Sequence, residues 1–202
     1  VCMALGGSTN GVLHILALAR ELGLEKHMNI ERVDEFSRTT PCISNVQPVG
    51  KYYLPDLHED GGMPGLMAEL KPLLNLQARG VGGRTLKDWI KLGAPRLQKV
   101  RRSILSLKKP LLAHGGIVVL KGNLAPISSL ARMLNNTIPS HRGPARCLNS
   151  QKEAVTALKS GRIREGEVIV VRYEGPRGAP GMPDIYALLA TVVGMGLEGK
   201  LA

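Results

Sequence analysis

The residues between Val168 and Asp184 are of types that could bind an acidic small molecule. An apolar run is followed by a loop with glycine at 175, 178 and 181, and then by the start of a helix at Pro183. Backbone N–H groups of such a loop, together with a helix N-terminus, attract an anion. Asp184 lies in the first turn of this expected helix, beside the same point. An anion cradle with a carboxylate predicts a metal-assisted site.

Other polar residues near expected element ends leave several roles open. Glu174 could be a metal ligand, a base, or a structural partner of Arg172 or Arg177. The stretch from Gly6 to Asn10 places small polar residues before a second helix, where Ser8, Thr9 or Asn10 can act as the N-cap. Each helix start alone is weak evidence for a site, since most such starts are only caps.

Metal and thiol chemistry has little support elsewhere in the chain. The acidic run at 56–60 could bind a metal, although a solvated loop is the more common outcome. Cys2, Cys42 and Cys147 are far apart and form no Cys-x-x-Cys pair, so neither a disulfide framework nor a metal site follows. We expect small buried apolar side chains at these positions, as in a cytoplasmic protein.

Composition and charge bear on two classes of function, nucleic-acid binding and membrane spanning. The 202 residues carry a formal net charge of +11, which raises the possibility of nucleic-acid binding. Five of the basic residues cluster at 99–109, in a linker-like segment without aromatic residues for base stacking. We therefore expect no nucleic-acid partner. The positive charge is better explained by a basic surface, or by the chain being a piece of a larger protein whose remainder is acidic. No apolar run is long enough to span a membrane.

The elements that must position these residues indicate an α/β chain in two parts. The first half predicts helices over 12–22, 30–38, 64–74 and 85–89, the first of them buried on most sides. Asn29 can act as the N-cap of the second helix. The second half predicts strands at 117–120 and 167–173, a helix at 151–159 opened by a capping box, and a last helix over 183–193. The change of character predicts a boundary near residues 95–110.

Five ordered motifs resemble the dihydroxy-acid dehydratase and phosphogluconate dehydratase family, and the resemblance covers essentially the whole chain. They are Gly6-Gly7-Ser8-Thr9-Asn10-Gly11-Val12-Leu13-His14, Asp56-Leu57-His58-Glu59-Asp60-Gly61-Gly62-Met63-Pro64, Leu120-Lys121-Gly122-Asn123-Leu124-Ala125-Pro126, Gly143-Pro144-Ala145-Arg146, and Arg172-Tyr173-Glu174-Gly175-Pro176 with Gly181-Met182-Pro183.

The resemblance implies dehydration of a 2,3-dihydroxy acid to a 2-keto acid. In the family, an iron–sulfur cluster acts on the leaving 3-hydroxyl, Mg²⁺ holds the acid end, and a serine removes the C2 proton. It also implies residues 1–100 as the end of an α/β N-terminal domain and residues 101–202 as the start of a β-barrel-like C-terminal domain. A homo-oligomer, dimer or tetramer, is expected.

Few of the residues that carry out the family's chemistry have counterparts in this chain. Its motifs imply substrate binding by Ser8, Thr9, Asn10, Glu174 and Gly181, and one metal ligand, Asp184, where the family usually has glutamate. The cluster cysteines belong to motifs that the chain lacks, and the base serine is expected beyond Ala202. Both ends look cut, so we expect an inactive internal fragment.

Three function hypotheses remain at this point. The first is a dehydratase that acts on 2,3-dihydroxy-isovalerate, in branched-chain amino-acid biosynthesis. A sugar acid, such as an aldonate or phosphogluconate, is the alternative substrate. A non-catalytic anion-binding module derived from the family is the third.

Overall fold

The chain divides into two compact units, Val1–Ile138 and Pro139–Ala202. The computed structural model describes residues 1–93, 102–133, 140–175 and 185–202. Helices and strands occur in both units, which is consistent with the predicted α/β class.

The described part of the first unit is mostly helical, as predicted. Its helices are α1 (Thr9–Glu21), α2 (Ile30–Thr39), α3 (Leu54–Glu59), α4 (Gly62–Glu69) and α5 (Leu86–Gly93), with 3-10 turns at Met3–Leu5 and Lys71–Leu73. Its strands β1 (Ile117–Leu120) and β2 (Ser129–Arg132) pair antiparallel, with Ile117 opposite Arg132.

Side-chain caps begin the first helices at the predicted positions. The Ser8 hydroxyl accepts a hydrogen bond from the Gly11 N–H at 3.3 Å, and the Asn29 side chain accepts one from the Arg32 N–H at 3.0 Å. Each cap satisfies a backbone donor that has no partner within its helix. The helix predicted over 64–74 is shorter and begins at Gly62, two residues before Pro64.

Two apolar clusters form the core of the first unit. One lies under α3 and α4 and contains Ala4, Ile43, Val46, Leu57, Leu66, Leu70 and Ile104. The other joins α1 and α2 to β1 and contains Met3, Val12, Val33 and Ile117. The Ser37 hydroxyl of α2 also donates a hydrogen bond to the Ile117 carbonyl oxygen, which fixes α2 along β1.

The prediction that α1 is buried on most sides is wrong for this unit. Only Val12 and Ala19 are buried along the helix. Ile15, Leu18 and Leu22 are 39%, 62% and 69% exposed. Because α1 contacts the unit through one face only, its second apolar face remains open. We call these three residues the α1 stripe.

The second unit is built around a parallel strand pair. Its elements are β3 (Ala145–Leu148), α6 (Gln151–Lys159), β4 (Val168–Val171) and α7 (Tyr186–Gly194). Ala145 lies opposite Val168, and α6 supplies the connection that a parallel pair requires. The buried core consists of Leu148, Ala154, Ala157, Leu158, Ile163 and Leu188.

No closed sheet is found within the four described ranges. The strands form two separate two-stranded sheets, β1–β2 and β3–β4. The Ala202 N–H donates to the Glu167 carbonyl at 3.3 Å, and the Ile169 N–H donates to the Ala202 carbonyl at 2.6 Å. Ala202 thus bonds to the residues before and after Val168. This is the hydrogen-bond pattern of a parallel strand beside β4.

Candidate functional site

The carboxyl ends of β3 and β4 lie side by side because the two strands are parallel. Asn149 and Ser150 follow β3 and lead into α6, while Arg172, Tyr173 and Glu174 follow β4. The predicted binding loop therefore leaves β4 next to the N-terminus of α6. Ligands of parallel sheets characteristically bind at this end of the strands.

Glu174 is held by the N-terminus of α6. Its Oε1 accepts a hydrogen bond from the Gln151 N–H at 2.7 Å. A carboxylate at a helix N-terminus is favoured both by the hydrogen bond and by the helix dipole. Of the roles left open by the sequence, the structure thus supports a structural one, with α6 as the partner.

Arg172 binds the residue that follows β3. Its Nε and Nη2 donate to the Asn149 Oδ1 at 3.1 and 2.6 Å, which ties the ends of β3 and β4 together. Its guanidinium also lies 5.2 Å from the ring centre of Tyr173. Tyr173 has φ +62°, a left-handed conformation that is uncommon outside glycine. The backbone is therefore turned sharply as it leaves the strand.

The start of α6 is capped independently of Glu174. The Ser150 hydroxyl accepts from the Glu153 N–H at 3.1 Å, as the predicted capping box requires. The Glu153 Oε2 accepts from the Asn149 N–H at 2.7 Å, one residue before the cap. The Gln151 side chain reaches α7, where its Oε1 accepts from the Leu188 N–H at 3.2 Å.

The glycines of the Gly6–Asn10 motif permit close packing against β1. Gly7 has φ +67°, and a Cβ added there would lie 2.4 Å from Cγ1 of Ile117. Gly116 has φ +75°, and its added Cβ would lie 2.9 Å from the Gly6 carbonyl oxygen. These contacts fix the loop that begins α1, with Ser8 and Asn10 exposed at the helix N-terminus.

The predicted site residues fall in different parts of the structure. Ser8, Thr9 and Asn10 belong to the first unit, where they form the cap and first turn of α1. Glu174 belongs to the second unit. Gly181 and Asp184 lie outside the described residues, as does Arg177.

Two carboxylates of the acidic run at 56–60 bind backbone groups. The Asp60 Oδ2 accepts three hydrogen bonds of 2.7 Å, from the N–H groups of Arg102 and Ser103 and from the Ser103 hydroxyl. The Asp56 Oδ2 accepts from the Tyr53 N–H at 2.7 Å at the start of α3. The expectation of a solvated loop is wrong for Asp60, which is only 9% exposed.

Sequence reasoning missed Gln151, Asn149 and Ser103 as partners of the motif residues. Their hydrogen bonds join positions 23 to 43 residues apart. The capping box at Ser150 was the one available signal, because it places Gln151 at the first position of α6.

The three cysteines differ in environment, and the expectation that all are buried is wrong. Cys42 is buried, Cys2 is half-buried, and Cys147 on β3 is exposed. Burial raises the pKa of the Cys42 thiol, which also donates a hydrogen bond to the Ser44 carbonyl at 3.7 Å. A buried thiol with a raised pKa is a poor metal ligand. Cys42 therefore does not fit as a ligand of an iron–sulfur cluster.

Metal ligands are likewise not clustered in the described ranges. No group of three or more His, Cys, Asp or Glu residues that could hold a metal ion occurs there. The described helices also include none that is long and apolar enough to cross a membrane.

Arg146 of the Gly143–Arg146 motif forms an ion pair near the other end of β4. Its Nη2 lies 2.6 Å from the Glu167 Oε1. The hydrogen bond from Arg146, supported by the Arg164 N–H, lowers the pKa of the Glu167 carboxyl. This motif residue thus links β3 to the residue that precedes β4.

Comparison with known proteins places both halves of the chain in one family. Residues 1–89 match the N-terminal model described as dihydroxy-acid/6-phosphogluconate dehydratase, and residues 102–202 match the C-terminal model of the same description.

Individual relatives agree with these models. Proteins named dihydroxy-acid dehydratase from Ruminiclostridium cellulolyticum, Thermus thermophilus and Metallosphaera sedula are each 40% identical to the chain, over 100%, 98% and 99% of its length. The chain spans 36% of the length of each of these relatives. The chain belongs to the dihydroxy-acid/6-phosphogluconate dehydratase family.

Proposed function

We propose that this chain forms part of a hydro-lyase that converts 2,3-dihydroxy-isovalerate to the corresponding 2-keto acid, in branched-chain amino-acid biosynthesis. The supporting observation is the 40% identity, over nearly the whole chain, to relatives named dihydroxy-acid dehydratase. A sugar-acid substrate is not favoured, because the relatives compared above carry the dihydroxy-acid name.

Cofactor binding in such an enzyme depends mainly on residues outside this chain. An iron–sulfur cluster would take its thiolates from elsewhere, since the Cys42 thiol is buried and the three cysteines of this chain are far apart in sequence. Asp184 is the proposed contribution to Mg²⁺ binding. One carboxylate is a reasonable share, because Mg²⁺ in proteins is often held by one or two carboxylates with water and substrate oxygens.

The chain's own residues would act mainly by binding and orienting an acidic substrate. Ser8, Thr9 and Asn10 present hydroxyl, amide and backbone donors at the N-terminus of α1, where negative charge is stabilised. Gly181 would let the backbone approach the substrate closely. Glu174 would fix the start of its loop against α6.

The proposed domain layout has residues 1–100 in an α/β domain and residues 101–202 in a β-barrel-like domain. The separate family models for 1–89 and 102–202 support the division. The hydrogen bonds that Ala202 makes with Glu167 and Ile169 support a larger sheet in the second part, because they place a further stretch of chain beside β4. A cytoplasmic homodimer or tetramer completes the proposal.

A segment exchange tests the activity. The Thermus thermophilus relative is assayed with its matching segment replaced by this chain, and 2-keto acid formation is measured from 2,3-dihydroxy-isovalerate and from gluconate. We expect turnover of dihydroxy-isovalerate by the exchanged enzyme and none by the isolated 202-residue chain. Turnover of gluconate alone would identify a sugar-acid enzyme.

The control for this exchange is the unaltered relative under the same loading with iron, sulfide and Mg²⁺. A folded, cofactor-loaded exchange enzyme that turns over neither acid would favour the non-catalytic module. Activity of the isolated chain would contradict the proposal that it lacks the cluster ligands and the base.

A further inference from the structure

Gln151 makes hydrogen bonds to both sides of the segment that connects β4 to α7. Its backbone N–H donates to the Glu174 Oε1 at 2.7 Å, at the end that leaves β4. Its side-chain Oε1 accepts from the Leu188 N–H at 3.2 Å, in the first turn of α7. One residue of α6 therefore contacts Glu174 and Leu188, which are 14 positions apart in the printed sequence.

The contact with α7 supplies a side-chain hydrogen-bond acceptor, which the N-cap residue of this helix does not provide. Ile185, at the N-cap position of α7, provides no side-chain hydrogen bond to the first turn. The Leu188 N–H reaches the Ile185 carbonyl at 3.1 Å and shares its hydrogen between this oxygen and Gln151. Because Leu188 is buried, water is a poor substitute for the Gln151 oxygen.

The contact with Glu174 depends on the place of Gln151 as the first residue of α6. The Ser150 hydroxyl already caps α6 through the Glu153 N–H. The first N–H groups of a helix find their acceptors outside the helix, and the Gln151 N–H donates to the Glu174 carboxylate. The start of the glycine-rich loop is thus fixed relative to α6.

We propose that Gln151 is a positioning residue, which sets the separation between Glu174 and the first turn of α7. Glu174 and the first turn of α7 then both contact the N-terminus of α6 through this one residue. The proposal concerns substrate binding and rests on the proposed dehydratase function. It assigns Gln151 no contact with substrate or metal.

Amide hydrogen exchange in the 202-residue chain tests the geometry directly. Gln151→Met keeps the length of the side chain but removes the acceptor oxygen. We expect exchange of the Leu188 amide to rise about three- to tenfold, the range for one shared neutral hydrogen bond. Gln151→Glu keeps an acceptor and is expected to restore slow exchange, whereas Lys152→Met, an exposed neighbour on α6, is the matched control.

Kinetics of the exchanged dehydratase test the positioning role. With Gln151→Met we expect the KM for dihydroxy-isovalerate to rise about tenfold, with a melting temperature within the range of the Lys152→Met control. A purely structural role would instead reduce the folded fraction and leave KM unchanged.

The proposal is overturned if Leu188 exchange is the same in Gln151→Met and Lys152→Met, or if KM does not change in Gln151→Met. Failure of the proposed function is distinguishable from both results. In that case the unmutated exchange enzyme turns over no dihydroxy acid, while the exchange rate of the Leu188 amide still decides whether Gln151 holds the first turn of α7.

Discussion

Two carboxylates of the family motifs, Glu174 and Asp60, bind backbone N–H groups in this chain. Glu174 accepts from Gln151, and Asp60 accepts from Arg102 and Ser103. The sequence predicted a site role for Glu174 and a solvated loop at Asp60, and it could not predict either partner, since the contacts span 23 and 43 residues. Residue type and local spacing identify caps, whereas distant hydrogen bonds depend on the packed fold.

Replacing Asp60 tests its structural role. Asp60→Ala leaves two backbone N–H groups and the buried Ser103 hydroxyl without their acceptor. We expect the free energy of unfolding to fall by about 3 kcal/mol or more, given about 1–3 kcal/mol for each buried unsatisfied group. Urea unfolding followed by Trp89 fluorescence measures this change.

The matched control for Asp60 is Asp56→Ala, which removes one hydrogen bond at an exposed helix start. Loss of such a cap is expected to lower the free energy of unfolding by about 1 kcal/mol. Equal losses in the two variants would contradict a special role for Asp60.

The Arg146–Glu167 pair predicts a pH dependence of stability. The pKa of Glu167 is lower in the folded chain because Arg146 and the Arg164 N–H stabilise its carboxylate. The unfolded chain therefore binds the proton more tightly, and the stabilisation is fully present above the ordinary glutamate pKa of about 4.3. It is lost as the pH falls from there through the lower folded pKa.

Urea unfolding between pH 7 and pH 3 measures this contribution. We expect Glu167→Gln to flatten the acid-side loss of stability relative to the unaltered chain. Arg146→Met, which removes the partner, is expected to flatten it in the same direction. An acid-side slope that is identical in all three proteins would show that the pair does not control the pKa.

At the scale of elements, the capped helix starts and strand β1 were predicted, whereas strands β2 and β3 were not. Ser8, Asn29 and Ser150 cap their helices as expected, because capping is a local interaction. Strand β3 was missed because its first three residues are exposed and carry no apolar alternation. The predicted strand over 167–173 shortens to Val168–Val171, since Tyr173 turns the backbone.

The loop between the first 3-10 turn and α1 depends on glycine at position 7. Gly7→Ala combines a left-handed backbone with a Cβ only 2.4 Å from Ile117, which is 1% exposed and closely packed. We expect the free energy of unfolding to fall by about 3 kcal/mol, from about 1 kcal/mol of backbone strain and the remainder from overpacking.

Gly23 provides the steric control for Gly7. It has φ +66°, and an added Cβ would meet nothing within 4 Å. Gly23→Ala is therefore expected to lower the free energy of unfolding by only about 1 kcal/mol. If the two variants unfold at the same urea concentration, close packing of Gly7 on β1 is not the cause.

At the scale of the whole molecule, packing and family models divide the chain differently. The C-terminal family model covers 102–202, yet strands β1 and β2 belong to the unit Val1–Ile138. Ile117 of β1 packs with Met3, Val12 and Val33. Sequence character could indicate the family boundary, but the strand's place in a core depends on contacts over 80 residues or more, as between Ser37 and Ile117.

Separate cores predict separate unfolding transitions. Leu158 is fully buried in the second unit, and Leu66 is fully buried in the first. Replacing either by alanine is expected to lower the stability of its own unit by about 2–5 kcal/mol. Trp89, the only tryptophan, belongs to the first unit and reports its unfolding.

We therefore expect Leu158→Ala to produce an early transition in far-UV circular dichroism while the Trp89 fluorescence transition stays in place. Leu66→Ala is expected to shift the fluorescence transition instead. Parallel shifts of both signals in both variants would mean that the two units unfold as one.

The α1 stripe has a consequence for how the chain behaves in concentrated solution. Ile15, Leu18 and Leu22 expose an apolar face, and such faces promote self-association. The net charge of +11 opposes this by mutual repulsion between molecules. Added salt screens the repulsion and leaves the apolar attraction intact. Light scattering of the isolated chain should therefore increase with ionic strength, and Leu18→Lys should suppress that increase.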